Sequence, residues 1–342
     1  MRVVISGGSG FLGSHLAEAL LARGDEVRCL DDFSSGRAQN VAHLRHTPGF
    51  ACVRCDVTES VPVTGPVDAV VHLASAASPF DYARRPLQTL AAGSRGTENL
   101  LRLAVRHRAR FVLASTSEVY GDPEVHPQRE DYWGHVNPVG PRSVYDEAKR
   151  FAEALSTAYR RAEGADVGIV RIFNTYGPRM RAHDGRVVST FVRQALDGEP
   201  LTLFGDGGQT RSFCYVDDLV RGLIAMVDAR LPGPVNLGNP VERTVRELAE
   251  LVLRITGSAS GLRCLPLPDD DPVRRRPDIT LARERLGWRP RIPLETGLGR
   301  TVAWFAAHPG DAVRHPDGSR HPDTARHPDA VRRPDRSPVG RP

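Results

Sequence analysis

The stretch Arg2-Val3-Val4-Ile5-Ser6-Gly7-Gly8-Ser9-Gly10-Phe11-Leu12-Gly13 decides the fold. A β-branched run leads into glycines spaced Gly7-x-x-Gly10-x-x-Gly13, and an amphipathic segment follows. Glycines at this spacing allow a tight turn, close approach of a pyrophosphate and close packing of a helix on a strand. The N–H groups and positive dipole of the helix N-terminus suit phosphates. The stretch therefore predicts a strand, a turn and a helix that bind a dinucleotide.

The first half of the chain repeats this alternation of strand and helix. Short β-branched runs predict strands at Arg2–Ser6, Glu26–Asp31, Phe50–Arg54, Ala69–Leu73, Arg110–Ser115 and Val167–Phe173. Amphipathic stretches predict helices at Phe11–Arg23, Gly96–Arg106 and Tyr145–Arg161. Such alternation is typical of an α/β fold whose parallel sheet is covered by helices. We therefore predict a Rossmann-type, doubly wound parallel sheet.

Past Tyr176 the chain changes to loops rich in Gly, Pro and Asp. Thr244 and Glu247, three residues apart, predict a capping box that starts a helix over Thr244–Thr256. Val235–Leu237 predicts one more strand. The segment Val188–Asp197 interrupts these loops, a further helix is predicted at Tyr215–Asp228, and Leu294–Ala307 closes the region predicted to be ordered. This half predicts a second, smaller α/β domain.

We place a first, dinucleotide-binding domain at residues 1–175, with 211–240 returning to it. The smaller domain covers residues 176–307, mainly 176–210 and 241–307. Residues 308–342 carry a Pro-Asp pair every sixth residue and few apolar side chains. Such a composition cannot bury a core, so we predict a disordered tail that turnover does not need.

Composition narrows the class of protein. The chain has 342 residues, and no apolar run approaches the roughly 20 residues that span a bilayer. A strand-like run begins at once, which leaves no room for a signal peptide. Five scattered cysteines favour reduced thiols and a cytoplasmic location. Cys52-x-x-Cys55 lacks a second pair, so we predict no metal site.

The net charge of +5 says little about nucleic acid. From Arg314 to Pro342 there are seven arginines and four aspartates, so three of the five positive charges lie in the tail. A nucleic-acid surface needs cations clustered on a folded face. We therefore expect neither a nucleic-acid nor a membrane partner.

An acid at the end of the second strand points to NAD as the dinucleotide. Asp31 follows Gly13 by 18 residues, where a carboxylate can accept both adenosine ribose hydroxyls and repel a 2′-phosphate. Arg37 lies near enough in sequence to allow some NADP tolerance. Asp56 and Val57, after the third strand, are placed at the adenine edge, although strand-end capping explains Asp56 equally well.

Tyr145 and Lys149, four residues apart on a predicted helix, indicate redox chemistry. Residues i and i+4 share a helix face, so the ammonium can lie beside the phenol and lower its pKa. About 30 residues earlier a strand ends in Ser115-Thr116-Ser117, whose hydroxyls would lie at the ligand crevice. Together these residues predict removal of an alcohol proton during hydride transfer.

By these motifs the chain resembles the extended short-chain dehydrogenase/reductase family that acts on nucleotide sugars. Within the family it is similar to the branch that decarboxylates UDP-glucuronate to UDP-xylose. The resemblance runs from Met1 to about Ala307. It is carried by Leu113–Pro123, Tyr132–Pro138, Gly140–Arg150, Arg171–Met180, Asp184–Ser189, Gly205–Phe213 and Arg275–Asp278. Ala76 departs from the proline that we expect there, which bears on the rigidity of the loop near the nicotinamide.

The resemblance implies a role for each matched position. NAD is held by Gly7, Gly10, Phe11, Leu12, Gly13, Asp31, Asp56, Val57, Leu73, Ala74, Tyr145 and Lys149. The catalytic residues are Tyr145, Lys149, Thr116, Ser117, Glu118 and Arg275. The UDP-sugar is held by Asn174, Arg179, Arg211 and Arg275. The reaction oxidises C4 of the glucuronate, loses CO₂ from the β-keto acid and reduces C4 again. The family further implies a homodimer packed through the helix that bears Tyr145 and the helix near Gly96–Arg106.

Alternatives remain open at this point. Ser117 stands where the related 4,6-dehydratases carry an acid, and Glu118 where 4-epimerases carry a small apolar residue, so both are disfavoured. A carboxylate at Glu118 could bind a ring hydroxyl or water, and Arg275 the substrate carboxylate. A non-catalytic NAD-binding sensor or scaffold is less favoured because Tyr145 and Lys149 are both present. We predict a structural, buried role for His72.

Overall fold

The computed structural model describes residues 1–183, 185–267 and 274–309. Its strands are β1 Arg2–Ser6, β2 Glu26–Asp31, β3 Phe50–Arg54, β4 Ala69–His72, β5 Arg110–Thr116, β6 Val167–Ile172, β7 Thr175–Tyr176, β8 Leu201–Phe204, β9 Thr210–Ser212, β10 Cys214–Tyr215, β11 Val235–Leu237, β12 Glu242–Thr244, β13 Leu262–Leu265 and β14 Arg274–Arg275. Its α-helices are α1 Phe11–Ala22, α2 Pro79–Arg84, α3 Pro86–Ala91, α4 Thr97–His107, α5 Ser143–Ala162, α6 Val187–Asp197, α7 Val216–Asp228, α8 Val245–Thr256, α9 Thr280–Leu286 and α10 Leu294–Ala307.

The main sheet has seven strands in the order β3-β2-β1-β4-β5-β6-β11, all parallel. Helices α1 and α7 pack on one face, and α4 and α5 on the other. Because both faces are covered, the central strands are buried along almost their whole length. The strand order reverses between β1 and β4, and a crevice opens beyond the carboxyl ends of the strands at such a point.

Smaller sheets lie beside this one. Strand β9 pairs with β12 on one side and with β14 on the other, while β8 pairs with β13. Helices α6, α8 and α10 pack together against them. The predicted capping box is confirmed: the Thr244 hydroxyl accepts the Glu247 N–H at 3.0 Å, and the Glu247 carboxylate accepts the Thr244 N–H at 2.8 Å. Strand β11 then joins the main sheet, although it follows the excursion through β8.

The predicted α/β fold with a doubly wound parallel sheet is confirmed, and most predicted elements agree to within two residues. Helices α2 and α3 were not predicted, because each spans only six residues, too few to show a helical period. No helix of the described ranges is long and apolar enough to cross a membrane. The predicted disordered tail lies, beyond residue 309, outside the described residues.

Candidate active site

The predicted site residues converge on one cleft of about 1260 Å³ at the carboxyl ends of the parallel strands. It is lined by every residue that the family resemblance assigned to catalysis, NAD or the UDP-sugar: Gly7, Gly10, Phe11, Leu12, Gly13, Asp31, Asp56, Val57, Leu73, Ala74, Thr116, Ser117, Glu118, Tyr145, Lys149, Asn174, Arg179, Arg211 and Arg275. These residues come from β1 through β14, so the cleft is a product of the whole fold.

The turn after β1 has the shape of a phosphate cradle. Gly7 adopts a positive φ of 72°, and a Cβ there would lie 2.8 Å from the backbone N of Ala74. A Cβ on Gly13 would lie 2.2 Å from the carbonyl oxygen of Gly7. Gly10 is the N-cap of α1 and offers no side chain to cover its first N–H groups. The geometry of this loop therefore fits a dinucleotide pyrophosphate.

Asp31 ends β2 with its carboxylate held by the loop. It accepts hydrogen bonds from the N–H groups of Ser9 at 2.8 Å and Phe33 at 2.9 Å. Burial raises the pKa of this carboxyl, and those two N–H groups oppose the rise. A Cβ on Gly36 would lie 2.7 Å from the same carboxylate, so a side chain at position 36 would crowd the Asp31 oxygens. The surroundings fit recognition of a ribose diol.

Tyr145 and Lys149 are both buried on α5, beneath the end of β5. The Lys149 ammonium donates to the carbonyl oxygen of Ala114 at 2.8 Å and lies 5.8 Å from the centre of the Tyr145 ring. Burial lowers the pKa of Lys149 to about 8, and Glu153 opposes this. Burial also raises the pKa of Tyr145; Glu118 adds to the rise, while Thr116 is among the groups that oppose it. Burial thus dominates the pKa of Tyr145, and the lowering by Lys149 that the sequence predicts stays a prediction.

The strand end beside Tyr145 turns into a short 3₁₀ helix, Ser117–Tyr120. The Thr116 hydroxyl caps it by accepting the N–H of Glu118 at 3.2 Å. Thr116 and Ser117 are buried at the floor of the cleft. This turn directs Glu118 across the cleft, toward residues that the sequence places far away.

Glu118 is paired with two arginines. It accepts a hydrogen bond from Arg142 at 2.6 Å and is held by both terminal nitrogens of Arg275, one of them at 3.0 Å. Burial disfavours the ionised carboxylate, but Arg275 and then Arg142 outweigh that cost and lower the pKa of Glu118 to about 2. Arg142 was not predicted. Its position three residues before Tyr145, on one helix face, was the available signal.

Two further residues beside this cluster were also missed. The Tyr82 ring stacks on Tyr145, with centroids 5.4 Å apart and an angle of 11°. Asp146 is buried, and its Oδ1 makes no hydrogen bond within the described ranges. Burial and then Glu118 raise the pKa of Asp146 to about 7, against the opposing charges of Arg142 and Arg275. Both residues flank the Tyr145 phenol.

The small sheet presents two predicted substrate ligands side by side. Arg211 on β9 and Arg275 on β14 are register partners, so their side chains share a face. Both are buried and line the cleft. Asn174 lines the same wall and accepts the Cys214 N–H with its backbone oxygen. Arg179 also lines the cleft, but its guanidinium donates to Glu18 on α1 at 2.5 Å.

A buried polar chain runs behind Lys149. Glu153, one helical turn further along α5, accepts from the Ser115 hydroxyl at 2.6 Å and from Arg171 at 2.8 Å. Arg171 donates to the Tyr120 hydroxyl at 3.0 Å, which in turn donates to Asn236 at 2.8 Å. The chain thus links the site to β11.

His72 lies within the sheet, away from the reactive phenol. Its ring nitrogens contact the hydroxyls of Ser6 at 2.7 Å and Thr97 at 3.1 Å. Burial, and then Lys149, lower its pKa to about 3, so the imidazole stays neutral at physiological pH. These contacts describe a structural histidine.

Comparison with known proteins assigns the class. Residues 3–238 match the model of the NAD dependent epimerase/dehydratase family, and the chain belongs to that family. Among its relatives, UDP-glucuronic acid decarboxylase 1 of Danio rerio is 52% identical over 305 residues, covering 89% of this chain and 72% of the relative. UDP-glucuronic acid decarboxylase 4 of Arabidopsis thaliana is 53% identical over 305 residues, which cover 89% of this chain and 68% of the relative.

Solved structures of related enzymes share the fold. A UDP-glucuronic acid 4-epimerase from Bacillus cereus, in complex with UDP-glucuronic acid and NAD, superposes with a TM-score of 0.80 at 27% identity, covering 90% of this chain and 99% of that one. A dTDP-glucose 4,6-dehydratase from Streptomyces venezuelae with NAD bound gives a TM-score of 0.82 at 31% identity, covering 91% of this chain and 98% of that one.

Proposed function

We propose that the chain is an NAD-dependent carboxy-lyase that converts UDP-glucuronate to UDP-xylose and CO₂. The observation that carries the proposal is the Glu118–Arg142–Arg275 cluster beside Tyr145, which puts guanidiniums where a sugar carboxylate would meet the reactive phenol. The relatives at 52–53% identity, which are UDP-glucuronic acid decarboxylases, support the same substrate.

The residues that would hold NAD are those around the glycine loop and Asp31, together with Asp56, Val57, Leu73, Ala74, Tyr145 and Lys149. Bound NAD supplies a hydride acceptor for C4, the same hydride for its later reduction, and a positive nicotinamide charge that favours a phenolate. Asp31 would accept the ribose hydroxyls, and the N-terminus of α1 would face the pyrophosphate.

Tyr145 would accept the proton of the C4 hydroxyl while that carbon is oxidised. Thr116 is among the groups that favour its ionised form, and Lys149 is the neighbouring ammonium. A ketone at C4 is β to the C6 carboxylate, so the electrons of the breaking C5–C6 bond pass into the carbonyl as an enolate. Tyr145, now protonated, and a hydroxyl of Thr116 or Ser117 would donate to that oxyanion.

The cycle would close with protonation of C5 and reduction of C4, whose oxygen would regain the Tyr145 proton. One proton is consumed and one CO₂ leaves, while the redox state is unchanged overall. Arg275 would bind on the carboxylate side of the sugar. Its Nε is buried and makes no hydrogen bond to the described residues, so an acceptor on the substrate would satisfy it. Arg211 and Asn174 would hold the UDP moiety.

Product analysis tests the proposal. The purified protein is incubated with UDP-glucuronate and catalytic NAD, and the nucleotide sugar is identified by NMR. We expect stoichiometric UDP-xylose and CO₂ without added reductant. UDP-galacturonate alone would instead indicate a 4-epimerase, and a 4-keto-6-deoxy sugar from a nucleotide hexose a 4,6-dehydratase.

The domain division stays a proposal: residues 1–175 and 211–240 form the NAD-binding domain, whereas the UDP-sugar-binding domain is made mainly of 176–210 and 241–307. The return of β11 to the main sheet supports it. A cytoplasmic location is likewise proposed, supported by five unbridged cysteines. Cell fractionation would check the location.

We also propose a homodimer packed through the α5 side of the molecule. Exposed apolar side chains there, Leu87 and Leu90 on α3 and Phe151 on α5, support it. Light scattering on Phe151→Glu should show a shift toward monomer, whereas Val139→Glu, on an exposed loop, should leave the mass unchanged. A wild-type monomer would contradict the proposal.

A further inference from the structure

Arg142 lies at the start of α5 and reaches into the cleft. It lines the cleft together with Tyr145 and Lys149, which lie three and seven residues later on the same helix face. About a quarter of its side chain, 24%, is exposed. Its contact with Glu118 uses one of three guanidinium nitrogens, and the other two make no hydrogen bond within the described part of the chain. Arg142 can therefore donate to a second carboxylate.

Arg275 is less able to do so alone. Both of its terminal nitrogens donate to Glu118, which takes up one parallel edge of the guanidinium, and only 5% of its side chain is exposed. A guanidinium binds a carboxylate best through two parallel N–H groups. Of the two cations, Arg142, with 24% of its side chain exposed, thus offers the more accessible guanidinium edge to a second carboxylate.

The charges of the cluster favour an incoming anion. Two guanidiniums share the single carboxylate of Glu118, which leaves one positive charge in excess. Asp146 is the other acid that interacts with these cations, and Glu147, Tyr82 and Tyr145 are its further titratable neighbours. Because burial raises the pKa of Asp146 to about 7, its protonated form predominates at pH 6 and leaves the excess in place.

We propose that Arg142 binds the C6 carboxylate of the sugar and thereby selects acidic over neutral nucleotide sugars. The inference rests on the proposed function and adds to it a specificity residue. Glu118 then acts as a shared counter-charge that keeps the two guanidiniums apart and oriented. A neutral hydroxymethyl group at C6 would leave the excess charge of the cluster uncompensated.

Calorimetry at pH 6 tests the inference in the NAD-loaded Tyr145→Phe background, which binds UDP-glucuronate with little turnover, with UDP-glucuronate, UDP-glucose and UDP as probes. In Arg142→Gln we expect the Kd for UDP-glucuronate to rise about 10- to 100-fold, and the Kd values for UDP-glucose and UDP to change less than about twofold. Arg142→Lys keeps the positive charge but not the two parallel N–H groups of a guanidinium, so its affinity for UDP-glucuronate should fall several-fold. Arg150→Gln, on the same helix but not lining the cleft, should keep the wild-type preference.

Two results would overturn the inference. One is an Arg142→Gln protein that melts like the wild type yet keeps the preference for UDP-glucuronate. The other is an equal loss of all three ligands, which would show that Arg142 only shapes the cleft. If Arg142→Gln does not fold, retention of the full preference by Arg142→Lys contradicts bidentate binding. A wild-type protein that neither prefers UDP-glucuronate nor makes UDP-xylose would instead refute the proposed function.

Discussion

The dinucleotide end and the anion end of the cleft are built in different ways. At the first, residues 6–13 and Asp31 form a cradle from two adjacent strands, and the contacts are mostly to backbone. At the second, Glu118, Arg142 and Arg275 meet although Glu118 and Arg275 are 157 residues apart. The cradle depends on local conformation, whereas the anion end depends on three strand and helix termini arriving together.

This difference has consequences for substitutions. A change in the cradle should alter cofactor affinity and leave the substrate pocket intact. A substitution at the anion end removes one charge from a buried group of three charged side chains, so it should affect both stability and substrate choice. Tyr145 stands between the two ends, and its removal should stop the chemistry while leaving both intact.

The largest expected effect is that of Tyr145→Phe. Loss of the hydroxyl removes the proton acceptor, so kcat for UDP-xylose formation should fall about 10²- to 10⁴-fold. NAD and UDP-glucuronate should still bind, as calorimetry can measure. Tyr82→Phe, which preserves the ring stacked on Tyr145, is the matched control and should keep most of the turnover. Normal turnover of Tyr145→Phe would revive the alternative of a non-catalytic binding protein.

The next largest effect is expected for Glu118→Gln, which should lower the free energy of unfolding at pH 7 by about 3 kcal/mol. The arginines lower the folded pKa of Glu118 from 4.5 to about 2, so its stabilisation is present above pH 4.5 and is lost as the pH falls through about 2. Urea unfolding at pH 7 and pH 3 would measure this. A constant difference between wild type and variant across that range would contradict it.

Asp31→Asn probes the cradle end. An amide can replace only one of the acceptors that the carboxylate offers, so NAD affinity should fall about tenfold and the preference over NADP should shrink. UDP binding should be unchanged. Asp32→Asn changes the exposed neighbouring carboxylate and serves as the control. An equal fall in UDP affinity would show that the two ends are not separable.

The smallest effect is expected for Glu153→Gln, behind Lys149. Glu153 holds up the pKa of Lys149, which burial lowers to about 8, so its neutralisation should lower that pKa further. The alkaline limb of kcat/KM should move to lower pH, since the ammonium is then lost earlier. Glu147→Gln, which changes a partly exposed carboxylate on the same helix, should leave the limb in place. An unchanged pH profile of kcat/KM in Glu153→Gln would indicate that Glu153 has only a structural role.

Much of the fold was predictable because its signals are local. The glycine spacing before α1, the alternation of buried strands and helices, and the capping box at Thr244 each lie within a dozen residues. The short helices α2 and α3 were not predicted, because six residues are too few to show a helical period. The contact of Tyr82 with Tyr145 was not predicted either, because Tyr82 lies on α2.

The sequence by itself determined the doubly wound sheet, the glycine cradle, Asp31 and the positions of Tyr145 and Lys149. Only the tertiary structure decided how the charges combine. It paired Glu118 with Arg142 and Arg275, buried Asp146 with no hydrogen-bond partner for Oδ1 among the described residues, and raised the pKa of the Tyr145 phenol through burial. The reason is physical: conformation follows from neighbours along the chain, whereas the ionisation of a side chain follows from desolvation and from charges that only folding brings within a few ångströms.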